Sequence, residues 1–269
     1  MSRLAERFAR LRRERRTGLV AYVTAGDPDL DRSAGVMRAV VAGGADVLEV
    51  GVPFSDPMAD GPSIQRATER AIAAGTTLPG VFDLLDRERS SLDVPIVLFT
   101  YFNPVLRMGE EAFVTRCRDA EVDGVLVLDL PPEEGAGFRS GLLGAGLDPI
   151  FLLSPTTTDA RLEAAAREGR GFLYLISRLG VTGARTTVDG AAPALARRVR
   201  ALTDLPLAVG FGLSHPDHIR TVSEWADAAV VGSALVDVIG RAANSSSLES
   251  EVEAYVHWLR GENRAAIVG

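Results

Sequence analysis

The stretch LEVGVPFSDPMADGP, Leu48 to Pro62, places two carboxylates where they could do chemistry. Glu49 lies inside an apolar run, Asp46 to Val52, that reads as a strand. Gly51 and Pro53 then break the run into a loop holding Asp56 and Asp60. A carboxylate among Val and Leu is costly to ionise, because its surroundings solvate charge poorly. Chains keep such a group mostly where it transfers protons. The plainer account of Glu49 is a strand-end acid satisfied by backbone donors or a nearby arginine. Asp60 follows in the loop, and two acids in unlike surroundings can divide the roles of acid and base.

A second group of residues points to an anion. Gly232 and Ser233 end the run AAVVGS just where a short helix begins, and Gly212 closes PLAVGFG. Glycines let backbone N–H groups approach a phosphate, and the positive end of a helix adds to the attraction. Gly183, in VTGA, offers another backbone donor. Any one of these glycines has a steric explanation; together they imply a phosphorylated small molecule. Tyr101, Tyr174 and Phe211 could line a pocket for an aromatic ligand, or serve as core.

These residues must be positioned by a repeating frame. Eight apolar strands are expected at 19–26, 46–52, 95–101, 124–130, 149–154, 171–177, 206–212 and 228–233, alternating with helical stretches. An extra helix precedes them, with Leu4, Phe8 and Leu11 at helical spacing. Ser214 is expected to cap the helix that opens at SHPDHI, and the third strand to lead straight to a helix at 110–120. The alternation, without a compositional break, predicts one α/β domain over 1–269, a (β/α)8 TIM barrel. A doubly wound sheet fits less well, since the first turn, AGDPD, lacks its glycine fingerprint. In such barrels the strands' C-terminal ends carry the site, and the segments 53–60 and 178–189 are the long loops there.

Composition excludes several classes. The 269 residues are 46% apolar, enough for a large core, and a net charge of −7 disfavours a nucleic-acid binder. Cys117 stands alone and His215, His218 and His257 are scattered, so no metal-ligand spacing or nucleophile signature emerges. No lysine lies in a strand, which disfavours a Schiff-base aldolase. No apolar run suits a membrane helix, the N-terminus lacks a signal peptide's apolar core, and a cytoplasmic setting is expected.

The motifs LEVGVPFSDPMADGP, YFNP, FLLSPTTTDARL, YLISRLGVTG, GFGLSHPDHI and VVGSALV, in order from Leu19 to Val236, together resemble the tryptophan synthase alpha subunit family. The resemblance implies cleavage of indole-3-glycerol phosphate to indole and glyceraldehyde 3-phosphate. It makes Glu49 the acid–base at indole C3 and at the substrate hydroxyl, and Asp60 the carboxylate facing the indole nitrogen. Tyr174 would line the site, Gly183, Gly212, Gly232 and Ser233 would bind phosphate, and Thr182 would belong to a closing loop. It further implies no cofactor in this chain, pyridoxal phosphate in a partner beta subunit, and an alpha2beta2 heterotetramer. Asp56-Pro57 and Asn103-Pro104 match segments facing that partner. Two other readings are a stand-alone lyase that releases free indole, and a barrel that has lost catalysis and acts only as an allosteric subunit.

Overall fold

The computed structural model describes residues 1–176, 191–210 and 212–261. Its centre is a closed barrel of parallel strands in sequence order: β1 (Gly18–Thr24), β2 (Val47–Gly51), β3 (Ile96–Thr100), β4 (Gly124–Val127), β5 (Asp148–Leu153), β6 (Leu173–Ile176), β7 (Leu207–Gly210) and β8 (Ala228–Val231). β8 closes on β1, with Gly18 opposite Ala228. The strands are apolar almost throughout because each is covered by helices outside and by its neighbours' side chains inside. The expected strands all form, each within a few residues of its expected span; Ser177, at the end of the sixth, lies outside the described residues.

The outer layer is α2 (Leu30–Ala42), α4 (Leu78–Glu88), α6 (Glu110–Asp119), α7 (Ala136–Gly144), α8 (Asp159–Glu168), α9 (Ala191–Arg200), α10 (Pro216–Ser223) and α12 (Leu248–Leu259). Cys117 is buried within α6. Three further helices attach to the C-terminal ends of strands. They are α3 (Pro62–Ala73), α5 (Phe102–Met108) and α11 (Ser233–Ala242). α5 was not expected, because Asn103-Pro104 reads as a turn. Pro104 instead sits in the helix's first turn, where a proline removes no intrahelical hydrogen bond. The cap of α10 also differs from expectation. His215, not Ser214, is the N-cap, and its Nδ1 accepts from Asp217 N at 3.2 Å. Ser214 N donates to His218 Nδ1, which moves the helix start one residue on.

The barrel floor is closed by α1 (Arg3–Glu14), whose Leu4, Phe8 and Leu11 pack with the inward residues Val20, Val47, Val97, Leu126, Ile150 and Phe172. Acids at strand starts clasp this helix. Asp46 accepts from Leu19 N at 2.9 Å, from both Nη atoms of Arg16 at 2.9 and 2.7 Å, and from Arg260 at 3.1 Å. Asp123 accepts from Ile96 N at 2.8 Å and Arg3 at 3.3 Å. Asp227 accepts from Leu207 N at 2.8 Å and pairs with Arg12 and Arg200. Asp148 accepts from the Ser2 hydroxyl at 2.5 Å. Each acid meets donors that the start of a parallel ladder or the end of the plug would otherwise leave open.

Candidate active site

At the opposite end, inward residues change character. Glu49 occupies the third position of β2, in register with Tyr22 of β1 and Val97 of β3. It is 1% exposed, and its Oε1 has no hydrogen-bond partner among the described residues. Burial alone lifts its pKa to about 8. The arginine or backbone partner that would make it an ordinary strand-end acid is absent from the described surroundings.

Asp60 lies at the end of the loop after β2, immediately before the cap of α3. It is 8% exposed, and Gln65 Nε2 donates to its carbonyl at 2.8 Å. Burial raises its pKa to about 6, against the lowering effect of a hydrogen bond from Tyr101. The Tyr101 hydroxyl also accepts from Ala59 N at 3.0 Å, so one phenol holds both the backbone and the carboxylate of this loop. Phe54 packs on the Tyr101 ring at 5.1 Å. The structure therefore gives Tyr101, expected as a pocket aromatic, a grip on Asp60.

The two surroundings divide the carboxyls' ionisation. Between about pH 6 and pH 8, Asp60 is predominantly an anion while Glu49 keeps its proton. One group is then an acid and the other a fixed negative charge, both at the same end of the barrel.

Tyr174 faces inward on β6, buried with the floor residues, and its pKa is raised by burial and by Glu49. A Cβ on Gly210 would lie 2.4 Å from the Tyr174 hydroxyl. The first glycine of GFG thus makes room for the phenol of the neighbouring strand. The same device recurs on the other side. A Cβ on Gly51 would lie 2.1 Å from the Tyr22 hydroxyl, which therefore stands one pleat above Glu49. Tyr22 meets Phe99 edge-on at 5.4 Å, and its own pKa is raised by burial, then by Asp60 and Glu49. Sequence reasoning missed Tyr22. The signal that could have found it is parity: in parallel strands, the residue level with Glu49 on the next strand shares its face.

Gly212, Gly232 and Ser233, expected to face an anion, lie at adjacent strand exits. Gly210 pairs with Val230, so Gly212 and Gly232 each lie two residues beyond a paired position. Gly212 has φ +75°, the left-handed conformation that favours glycine. Gly232 caps α11 with no side-chain hydrogen bond, and Ser233 is the first helical residue. The first N–H groups of α11 thus face the mouth without an internal partner, a ready anion seat. Thr182, Gly183 and Phe211 lie outside the described residues.

Around this mouth, Ser55, Asp56, Met58 and Ala59 are exposed, Met58 at 81%. Among the described residues no helix is long and apolar enough to cross a membrane.

Comparison with known proteins agrees with this architecture. The family model described as "Tryptophan synthase alpha chain" matches residues 8–264. The tryptophan synthase alpha chain of Solibacter usitatus is 46% identical over 260 residues, covering 97% of each chain. That of Burkholderia thailandensis is 48% identical over 265 residues, covering 97% of this chain and 96% of its own. Among solved structures, Mycobacterium tuberculosis tryptophan synthase superposes with a TM-score of 0.89 at 36% identity, covering 98% and 99% of the two chains. A Legionella pneumophila alpha subunit gives 0.87 at 34%, covering 97% and 98%.

Proposed function

The chain belongs to the tryptophan synthase alpha chain family, and from that premise we propose that Glu49 and Asp60 carry out its reaction, the cleavage of indole-3-glycerol phosphate. It is a carbon–carbon lyase, releasing indole and glyceraldehyde 3-phosphate. The observation that carries the residue assignment is the burial of both carboxyls at the barrel's C-terminal end, with no hydrogen-bond partner for Glu49 Oε1 among the described residues.

The chemistry follows from the two carboxyls' divided ionisation. Protonated Glu49 delivers its proton to indole C3, and the ring becomes an indolenine whose nitrogen carries positive charge. The Asp60 anion, held by Tyr101, stabilises that charge in a site poor in water. Glu49, now a carboxylate, takes the proton of the substrate hydroxyl on the adjoining carbon. The carbonyl forms, the carbon–carbon bond breaks, and its electron pair returns to the ring and neutralises the nitrogen. Glu49 ends protonated, as it began. An acid near neutrality suits this double use better than one at its ordinary value. The phosphate rests on the N-terminus of α11, with Gly212, Gly232, Ser233 and Gly183 as its donors. Tyr174 lines the pocket. Thr182 and Phe211, which lie outside the described residues, are assigned to the closing loop and the aromatic wall from the sequence alone.

The chain requires no cofactor in this reading. Its partner is a beta subunit that holds pyridoxal phosphate and receives the indole, in an alpha2beta2 assembly in the cytoplasm, with the whole of 1–269 as one domain. The exposed Asp56–Met58 loop and α5 are the docking side. Indole release from indole-3-glycerol phosphate, measured on the purified chain alone and then with a beta subunit, tests the reading. Turnover that rises on adding the beta subunit is expected; absence of indole in both arms overturns it.

A further inference from the structure

One helix touches both halves of this site. Asp60 immediately precedes the cap of α3, and Gln65 in its first turn holds the Asp60 carbonyl. The body of α3 packs less on β2, the strand it follows, than on other elements. It crosses to β1 and packs on α11, the helix whose N-terminus is the phosphate seat. Ala67 of α3, Val236 of α11 and Tyr22 of β1 form a small buried cluster between them. Arg66 pairs with Asp237 of α11 at 3.1 Å.

Arg70 occupies the centre of this contact. Its Nε and Nη2 grip the two oxygens of Asp27, in the turn after β1, at 2.7 and 2.8 Å. Asp27 is 1% exposed, so its charge is tolerated only with that fork in place. The guanidinium also lies against α11 where Gly240 has no side chain; a Cβ there would come within 3.1 Å of Arg70 Nη2. The planar fork is thus fixed on one edge by the β1 turn and lies against the α11 backbone, an arrangement a point charge on a flexible stem does not reproduce. None of these residues is among those assigned to the reaction.

We propose that Arg70, clamped by Asp27, is a positioning residue that locks α3 to α11, so that filling the phosphate seat fixes Asp60 at the indole nitrogen. The proposal rests on the reading of Asp60 and α11 given above. It assigns the pair a task beyond folding. Phosphate, which is chemically inert in the cleavage, orders a carboxylate at the other end of the substrate, and binding energy from the remote group supports the reacting centre.

Fragment binding tests this apart from turnover. Indole and glycerol 3-phosphate are titrated calorimetrically, each alone and in the presence of the other, with the wild-type chain and two variants. The first variant combines Arg70→Met with Asp27→Asn, which removes the fork without stranding a buried charge. The second, Gly240→Val, wedges α11 away from a guanidinium that stays clamped, and replaces glycine with a better helix former. In the wild type, bound glycerol 3-phosphate should raise indole affinity about tenfold, a typical coupling between two sites. In both variants, with thermal unfolding showing an intact fold, that enhancement should fall below about twofold and kcat should drop about tenfold. Affinity for glycerol 3-phosphate alone should change little. Wild-type enhancement surviving in the folded variants would make the pair merely structural, and no enhancement in the wild type would remove the coupling altogether. Failure of the wild type to cleave substrate strikes the functional reading instead, while the fragment titrations still report on α3.

Discussion

The two ends of the barrel hold the same kind of side chain under opposite conditions. At the floor, Asp46, Asp123, Asp148 and Asp227 each meet a backbone N–H, an arginine or a hydroxyl. At the mouth, Glu49 meets no partner among the described residues, and Asp60 meets the Tyr101 phenol. Burial pushes Asp123 and Asp148 upward as well, but bonds from Ile96, Arg3 and Ser2 counter it. At Glu49 nothing counters it. The difference separates carboxylates whose donors hold the charged form in place from Glu49, which no described donor holds.

The largest break in this comparison should come from Glu49→Gln. An amide cannot carry a proton, so kcat should fall by about a thousandfold, within the range of general acid–base catalysis. Steady-state kinetics beside calorimetry of substrate-analogue binding would check that binding survives. In the wild type, kcat/KM should form a bell, falling below about pH 6 as Asp60 protonates and above about pH 8 as Glu49 ionises. Stability carries the same signature. The folded chain keeps the Glu49 proton up to about pH 8 while the unfolded chain loses it in the ordinary carboxylate range. Wild-type stability should therefore decline as pH rises across that window, and the glutamine variant should lack the Glu49 share of that slope. Parallel melting curves for the two proteins from pH 5 to pH 8.5 would refute the burial account.

Asp46→Ala tests the other side. It leaves Arg16, Arg260 and Leu19 N without their shared acceptor and should cost about 3 kcal/mol, as breaking buried ion pairs does. Activity per folded molecule should stay near wild type. Urea denaturation with kinetics on the same sample checks both. A catalytic loss larger than the folding loss would show that the floor and mouth are not separable.

The smallest effect sharpens the contrast within the mouth. Tyr101→Phe deletes the one hydroxyl shared by Ala59 N and Asp60. kcat should fall about tenfold, of the order of one lost hydrogen bond to a charged group, with little change in KM. Its pH profile should also lose width, because Asp60 without that hydrogen bond titrates higher and the acid limb moves up. An unchanged acid limb would detach Tyr101 from Asp60.

Much of this was legible in the sequence. Strands buried on both faces announce themselves as unbroken apolar runs, so the barrel and its order could be read directly. An acid inside such a run, as at Glu49, stands out for the same reason. What escaped depended on relations between segments. The floor aspartates are visible as DVLEV, DGVLV, DPIFLL and DAAVV, yet an Asp at a strand start resembles any turn residue until its partner is found far along the chain. Tyr22 escaped because its level beside Glu49 is set by register with β2. The helix α5 was hidden by Asn103-Pro104, whose local preference for a turn yields to packing: Val105 is buried, and Phe102 meets the Phe138 ring of α7 at 5.8 Å.

Arg260 donates to Thr17 O at 3.3 Å, across 243 positions of chain, and shares Asp46 with Arg16. During synthesis, residue 17 leaves the ribosome long before residue 260. The plug helix and the first strands must wait with their lower edge unsealed until α12 and β8 arrive. Such late, distant closure is slow, and it leaves apolar strand edges open to other chains in the interval. A chain that stops short of Arg260 lacks the last arginine of the Asp46 clasp, and its floor stays unsealed.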